Sequence, residues 1–265
     1  MSEPGGLAYE RLVEVTPYAS VVLQNNPNIM TLDGTNTWLL RAPGAETSIL
    51  VDPGEEDDAH LAAVLEAAGT VETIVVTHGH YDHCQVAARV HDLTGAPVRA
   101  IDPALCLGGS ALADGEWMDA AGLRIQVWAT PGHSADSASF VIEPETGAGA
   151  VLTGDTILGR GTTVVAYPDG NLGDYLASLH RLRDLGEITV LPGHGPVPGA
   201  AGPVAQFYLD HREQRLQQVR DALGVLGAEA SPRAVVEYVY TDVDEALWGA
   251  AEISVQAQLA YLRGT

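Results

Sequence analysis

The chain contains no lysine. All 13 of its basic residues are arginines, set against 35 aspartates and glutamates, for a formal net charge of −22. Nucleic-acid affinity rests largely on Lys and Arg neutralising phosphates. An acidic surface also repels polyanions at a distance. DNA is therefore not an expected partner, and a high-affinity RNA groove built on a basic stripe is disfavoured. Cysteine is scarce too. Cys84 and Cys106 are the whole supply, which gives no disulfide framework and fits a reducing cytoplasm. No apolar run approaches the ~20 residues of a membrane span. The opening Met1-Ser2-Glu3-Pro4-Gly5-Gly6 lacks the basic and apolar regions of a signal peptide, so a cytoplasmic location is expected. A Gly-x-Ser-x-Gly nucleophile motif is absent, which disfavours serine hydrolase chemistry. So is a glycine-rich nucleotide fingerprint.

What the chain does have is histidine in one place. The run Thr77-His78-Gly79-His80-Tyr81-Asp82-His83 packs three imidazoles and a carboxylate together. Groups this polar are costly to bury without partners. A divalent metal supplies the partner, and imidazole with carboxylate is a donor set that suits zinc. The preceding Thr73-Ile74-Val75-Val76 is β-branched and reads as a buried strand. After it, Val86, Ala87, Val90 and Leu93 recur at helical spacing. The cluster is thus a loop at the carboxyl end of a strand, where open sheets bind ligands. His78 and His80 alternate along extended chain and share a side, while Asp82 and His83 reach a second position. One metal hardly takes all four groups with good geometry; two metals can.

The pattern recurs. Trp128-Ala129-Thr130-Pro131-Gly132-His133, Ala150-Val151-Leu152-Thr153-Gly154-Asp155 and Thr189-Val190-Leu191-Pro192-Gly193-His194 each end an apolar run on a glycine followed by His or Asp. Glycine lets the backbone turn closely at such a point. Singly these are ordinary turn residues; with the first cluster they form a metal-type constellation.

These residues resemble the metallo-β-lactamase superfamily. The signature is present as His78-x-His80-x-Asp82-His83, followed in order by His133, Asp155 and His194, and the match runs from about Val21 to the end of the chain. Within it the chain looks like the β-lactamase-like protein 2 group. That likeness is carried by Leu32-Asp33-Gly34-Thr35-Asn36-Thr37-Trp38-Leu39, Thr153 to Gly159, Leu191 to Val197, and Tyr208 with His211, Arg212 and Arg215. The resemblance implies an α/β fold, an αββα sandwich of two mixed sheets with helices outside. It implies two zinc ions per chain, with Mn or Fe as substitutes. His78, His80 and His133 would hold the first and Asp82, His83 and His194 the second. Asp155 would bridge them together with a hydroxide that Asp82 orients, which makes Asp82 the catalytic carboxylate. Members of the group include a zinc-dependent endoribonuclease acting on single-stranded RNA. The chain departs from the family after His83, where Cys84-Gln85-Val86 replaces a small or glycine-rich stretch. Cys84 reads as a small buried residue opening a helix.

Other polar residues have plainer readings. His60, His91 and His180 lie in helix-like segments (57–68, 86–94 and 172–185) and are expected at surface or capping positions. Tyr208, Arg212 and Arg215 share a helix face. They read either as a substrate-binding fork for phosphate or carboxylate or as a solvated face paired with Asp210 and Glu213. Thr162-Thr163 and Gly34 to Thr37 could hydrogen-bond near the metals or simply turn the chain.

The 265 residues suffice for one large core plus an appendage. Residues 1–200 are expected to form the catalytic domain. The stretch Ala200-Ala201-Gly202-Pro203 looks like a connector. Residues 201–265 then form a helical module, winged-helix-like in pattern but too acidic to bind DNA. Its helices are expected at Val204 to Leu226, from Ser231-Pro232, and at Asp244 to Leu262. The last carries an apolar stripe of Ala246, Ala250, Ile253, Ala257, Leu259 and Ala260. The functional expectation is a dinuclear zinc hydrolase acting on a small ester, thioester or lactam. A single-stranded RNA phosphodiesterase is the first alternative, and a non-catalytic protein stapled by its metals is the second.

Overall fold

Apolar residues alternate with the period of two that a strand requires, and this places two packed faces on each sheet. The computed structural model describes residues 8–143, 147–241 and 248–264. The first sheet runs in chain order: β1 (Leu12–Thr16), β2 (Ala19–Leu23), β3 (Asn36–Leu40), β4 (Thr47–Val51), β5 (Thr70–Val75) and β6 (Val98–Arg99). Its first four strands are antiparallel, and β4, β5 and β6 are parallel. The second sheet is built from β7 (Trp117–Ala120), β8 (Leu123–Ala129), β9 (Ala138–Glu143), β10 (Ala150–Gly154) and β11 (Thr189–Pro192), in the order β11-β10-β9-β8-β7. Only the β10–β11 pair in it is parallel.

Neighbouring residues on one strand feed different cores. Val21, Leu40, Ile49 and Val75 point between the sheets and meet Ile125, Phe140, Ile142 and Leu152. Val22, Leu39, Leu50 and Ile74 point outward and pack on α1 (Asp58–Ala68) and α3 (Ala87–Thr94). The outer face of the second sheet, with Val141, Val151 and Val190, is covered by α4 (Leu172–Arg183) and α5 (Ala201–Leu226). The layers are therefore helix, sheet, sheet, helix, as the resemblance implied. Between β5 and α3 stands the single turn α2 (Tyr81–Cys84).

Two helices follow α5: α6 (Pro232–Val239), capped by Ser231, and α7 (Trp248–Arg263). They close a small core of Val219, Ala222, Val235, Val236, Val255 and Leu259. The expected stripe on α7 is partly misplaced. Ala257 and Leu259 are buried, but Ile253 is 41% exposed and Val255 takes the inner position. Ala246 and the side chain of Ala250 lie outside the described residues. The expected connector also needs correction. Ala201, Gly202 and Pro203 already belong to α5, and Ala201 and Gly202 are buried. A Cβ on Gly202 would stand 3.1 Å from the backbone of Gly186, so the glycine serves close packing rather than flexibility.

The carboxyl ends of β5, β8, β10 and β11 lead into the segments that carry the histidines and Asp155. One glycine there is irreplaceable on steric grounds. Gly132 has φ +131°, and a Cβ on it would lie 2.3 Å from the backbone of Tyr175. Gly132→Ala is expected to cost at least about 2 kcal/mol. Thermal denaturation should show this as a melting temperature lower by about 4–8 °C; an unchanged midpoint would show that the His133 turn relaxes freely.

Candidate metal centre

The chain after β5 brings His78 and His80 to the same side, as their alternation predicted. His78 Nε2 lies 3.0 Å from His80 Nδ1, and His133 Nε2 lies 3.1 Å from the same atom. The turn α2 carries Asp82 and His83 toward His194. His83 Nε2 and His194 Nε2 are 3.1 Å apart, and Asp82 Oδ2 is 3.0 Å from His194 Nε2. Asp155 sits between the two groups. Its Oδ1 is 3.5 Å from His83 Nε2 and 3.4 Å from His194 Nε2, while Oδ2 is 3.7 Å from His133 Nε2. All seven residues singled out in the sequence converge.

The outer nitrogens decide what the inner ones can do. His133 Nδ1 donates to the Val164 carbonyl at 2.9 Å and His194 Nδ1 to the Gly34 carbonyl at 3.0 Å. His83 Nδ1 lies 2.9 Å from Asp52 Oδ2. The Thr77 hydroxyl donates to the same carboxylate oxygen at 2.7 Å and therefore accepts from His78 Nδ1 at 3.0 Å. Only His80 faces the others with Nδ1, and its Nε2 looks toward Asp169 at 3.6 Å. A neutral imidazole carries one proton. With that proton turned outward, each inner nitrogen presents a lone pair to the next. Lone pairs at such distances repel unless a cation lies among them. Asp155 Oδ1 is likewise buried with no hydrogen-bond partner. This donor set, with outer N–H groups anchored on carbonyls and carboxylates, fits a divalent metal.

Without a metal the two halves differ in charge. Burial holds His78 well below its ordinary range, helped by the nearby His83 and His133. Burial likewise lowers His133. In the other half burial also opposes protonation, but carboxylates outweigh it. Asp155 and Asp52 raise His83 well above the usual range. Asp155 and Asp82 raise His194 to about 9. Burial pushes Asp155 up, yet His194 and His83 hold it well below the usual carboxylate range.

Other expectations resolve as follows. Tyr208 is buried, and its hydroxyl accepts from Leu158 N at 2.9 Å. Arg212 is 5% exposed, donates to the Thr163 carbonyl and lies 5.1 Å over the Tyr175 ring. Thr163 in turn donates to the Asp155 carbonyl at 2.7 Å. Tyr208 and Arg212 thus brace the segment after Asp155 from behind. Arg215 bonds Gln218 and lies over Tyr240, and Glu213 pairs instead with Arg220. The Gly34 to Thr37 stretch does border the centre, through Gly34 O on His194 and Asn36 on the carbonyls of Pro192 and Gly195. Cys84 is half-buried, its thiol 3.4 Å from the Gly79 carbonyl. His180 is exposed, and His91 bonds the Ala96 carbonyl past the end of α3. His60 is the exception: it is fully buried, not at the surface. Asp52 was missed altogether. Its signal was available, since Ile49-Leu50-Val51-Asp52-Pro53-Gly54 is one more apolar run ending on an aspartate beside glycine.

Comparison with known proteins agrees with this geometry. The sequence model of the metallo-beta-lactamase superfamily matches residues 30–194. The chain belongs to the metallo-beta-lactamase superfamily. It is 31% identical to a beta-lactamase-like protein 2 homolog of Drosophila melanogaster, over 91% of this chain and 86% of that one. It is 35% identical to an atrochrysone carboxyl ACP thioesterase of Aspergillus fumigatus, over 79% of this chain and 66% of that one. A metallo-beta-lactamase family protein from Thermus thermophilus has the same fold, with a TM-score of 0.77 at 23% identity over 94% of each chain. Membership places this superfamily chain among hydrolases.

A metal binding here would compete with protons on His83 and His194, whose proton affinity the neighbouring carboxylates raise. Because the folded pKa of His194 is raised, its protonated form contributes stability fully below its ordinary value near 6.5, and that contribution is lost as pH rises through about 9. Metal uptake by stripped protein is therefore expected to strengthen with rising pH up to about 9. Calorimetry at pH 7.5 in buffers of different ionisation enthalpy should show about two protons released per filled centre. Zero release would mean that both imidazoles are already neutral.

Proposed function

We propose that this superfamily member is a dinuclear zinc-dependent hydrolase that cleaves a small ester or thioester, with a lactam amide as a related substrate. The observation that carries the reading is the outward anchoring of the imidazoles, which turns five inner nitrogens together with Asp82 and Asp155 toward one another. A zinc pair, when bound, supplies Lewis acidity and brings the pKa of a water to about 7. His78, His80 and His133 would hold one ion, Asp82, His83 and His194 the other, and Asp155 both. The same donors also suit iron or manganese.

The chain's own residues supply the rest. Burial tends to raise Asp82, but His194 and His83 keep it below the usual carboxylate range, so it is ionised at neutral pH. It is also partly exposed and accepts a hydrogen bond from the attacking water, fixing its orientation. His80, Tyr81 and Asp169 line the open side, with Tyr81 the most exposed at 73%. A mainly apolar cleft of about 300 Å3, with Leu158, Pro198, Val204, Phe207 and Tyr208 in its walls, lies behind the segment that follows Asp155, and none of the seven candidate ligands lines it. Gly159 in its wall donates to the His194 carbonyl at 2.8 Å. The acidic surface and the lack of a basic groove favour a small acyl substrate over a polyanion. The thioesterase among the relatives supports the same choice. The likeness to beta-lactamase-like protein 2 homologs keeps RNA as the alternative; against it, Arg212 is spent on Thr163 and Tyr175, and the chain offers no lysine.

Two variants test the reading. In zinc-loaded protein, Asp82→Asn is expected to slow hydrolysis of an acyl thioester at least about 100-fold, with little change in melting temperature. Asp155→Ala is expected to lose metal and activity together. Cleavage of end-labelled unstructured RNA by wild type but not by Asp82→Asn, with thioesters and esters untouched, would replace the acyl reading by a nuclease.

A further inference from the structure

A chain of buried polar groups runs behind the centre, and apolar packing does not account for it. His60 stands in the first turn of α1 with its ring fully enclosed. Its Nδ1 lies 2.7 Å from Glu10 Oε2, and its Nε2 lies 2.9 Å from Thr37 Oγ1. Thr37 Oγ1 is 2.7 Å from the carbonyl oxygen of Asp52, which only accepts. The one hydroxyl proton of Thr37 therefore goes to Asp52. With His60 Nε2 donating to Thr37, a second proton must lie between Nδ1 and Glu10 Oε2, since two bare acceptors do not meet at 2.7 Å. The contacts run unbroken through four residues, from the partly exposed Glu10 to the buried Asp52.

Asp52 needs such a hold. Its φ of +51° lies in the left-handed region, which costs a non-glycine residue roughly 1 kcal/mol or more. Its N–H donates to the Val75 carbonyl at 3.1 Å, and its own carbonyl takes the Thr37 hydroxyl. Both of its peptide links are thereby fixed. The carboxylate is then aimed at Thr77 N and Thr77 Oγ1, each at 2.7 Å, and at His83 Nδ1 at 2.9 Å. Glu10 adds a second link. Its Oε1 accepts from Asn25 N at 2.9 Å, at the root of the loop whose Gly34 carbonyl holds His194.

We infer that Glu10, His60 and Thr37 are positioning residues for the Asp82, His83 and His194 half of the centre. They hold Asp52 in its left-handed conformation, and Asp52 aims the inner nitrogen of His83. The inference rests on the reading of the two histidine groups as metal sites. It also weights the halves differently: Asp52 meets His83 directly, reaches the other half only through Thr77 and His78, and makes no bond toward His80 or His133.

The test is chelator titration of the zinc-loaded full chain, counting zinc per protein by atomic absorption, with the melting temperature of the stripped protein as a fold control. Wild type is expected to release zinc in two stages. Thr37→Val should release one ion at a chelator activity about tenfold lower and the other as wild type does. His60→Gln keeps an N–H that reaches Thr37 and should fall between the two. If Thr37→Val does not fold, Glu10→Gln at the partly exposed end is expected to shift the same stage in the same direction. Zinc release identical to wild type in the folded variants overturns the inference. Equal loosening of both ions also overturns it, because that is what general destabilisation produces. Wild-type protein that takes up no zinc at all would instead overturn the metal reading beneath it.

Discussion

Everything at the site depends on where five imidazoles keep their protons. A buried histidine bonded outward to a carbonyl or carboxylate has its tautomer chosen by that bond. Here Val164 O, Gly34 O, Asp52 and Thr77 make the choice for His133, His194, His83 and His78. The inner faces then gather nitrogens and two carboxylates that call for positive charge, either a metal or the protons that His83 and His194 attract. The fold supplies the compression: the ligand segments close off strands of two different sheets, and the apolar layer between those sheets fixes how near they come. Such a donor set suits a divalent cation as a direct consequence of ordinary packing and ordinary hydrogen bonds.

The convergence of the seven candidate ligands was legible because its signal is local. A β-branched run, a glycine and then His or Asp is a pattern that survives without any knowledge of tertiary contacts, and β5, β8, β10 and β11 all ended where it said. The layer order followed from resemblance and was confirmed. What the sequence hid was which face of a helix is inner. His60 was assigned to the surface by residue type, yet His60, Leu61, Val64 and Ala68 form one buried stripe. Arg212 was read as a possible ligand grip, yet it lies in line with Ala205, Tyr208, Leu209 and Leu216 on the core face of α5. In both cases the helical spacing pointed inward while the polarity of the side chain argued outward. Spacing prevailed because each polar group found a buried partner: Glu10 and Thr37 for one, the Thr163 carbonyl for the other. The Gly202-Pro203 pair misled for a different reason, since glycine marks close approach as readily as it marks a hinge.

The electrostatics of the surface and of the centre pull in opposite directions. Arginine is the only cationic side chain, apart from histidine, and much of it is paired at the surface: Arg89 with Glu56 and Asp58, Arg99 with Glu116, Arg160 with Asp33, Arg181 with Asp114. Exposed pairs of this kind stabilise little, but they leave few free cations to draw in an anion. An anionic substrate would therefore have to be recognised at short range, within the centre itself. A neutral acyl compound meets no such barrier.

The ligands also come from opposite halves of the sandwich: His78, His80, Asp82 and His83 follow β5 in the first sheet, and His133, Asp155 and His194 follow strands of the second. Metal coordination tolerates errors of about 0.2 Å, whereas one residue along a strand is about 3.3 Å. The two sheets must therefore keep their mutual offset to a small fraction of a residue. Metal affinity in this protein is thus a gauge of distance between the sheets. Enlarging or shrinking a side chain such as Ile125 or Phe140, both buried between the sheets, acts on the centre through the spacing of its two halves, as a shim alters the gap of a vice.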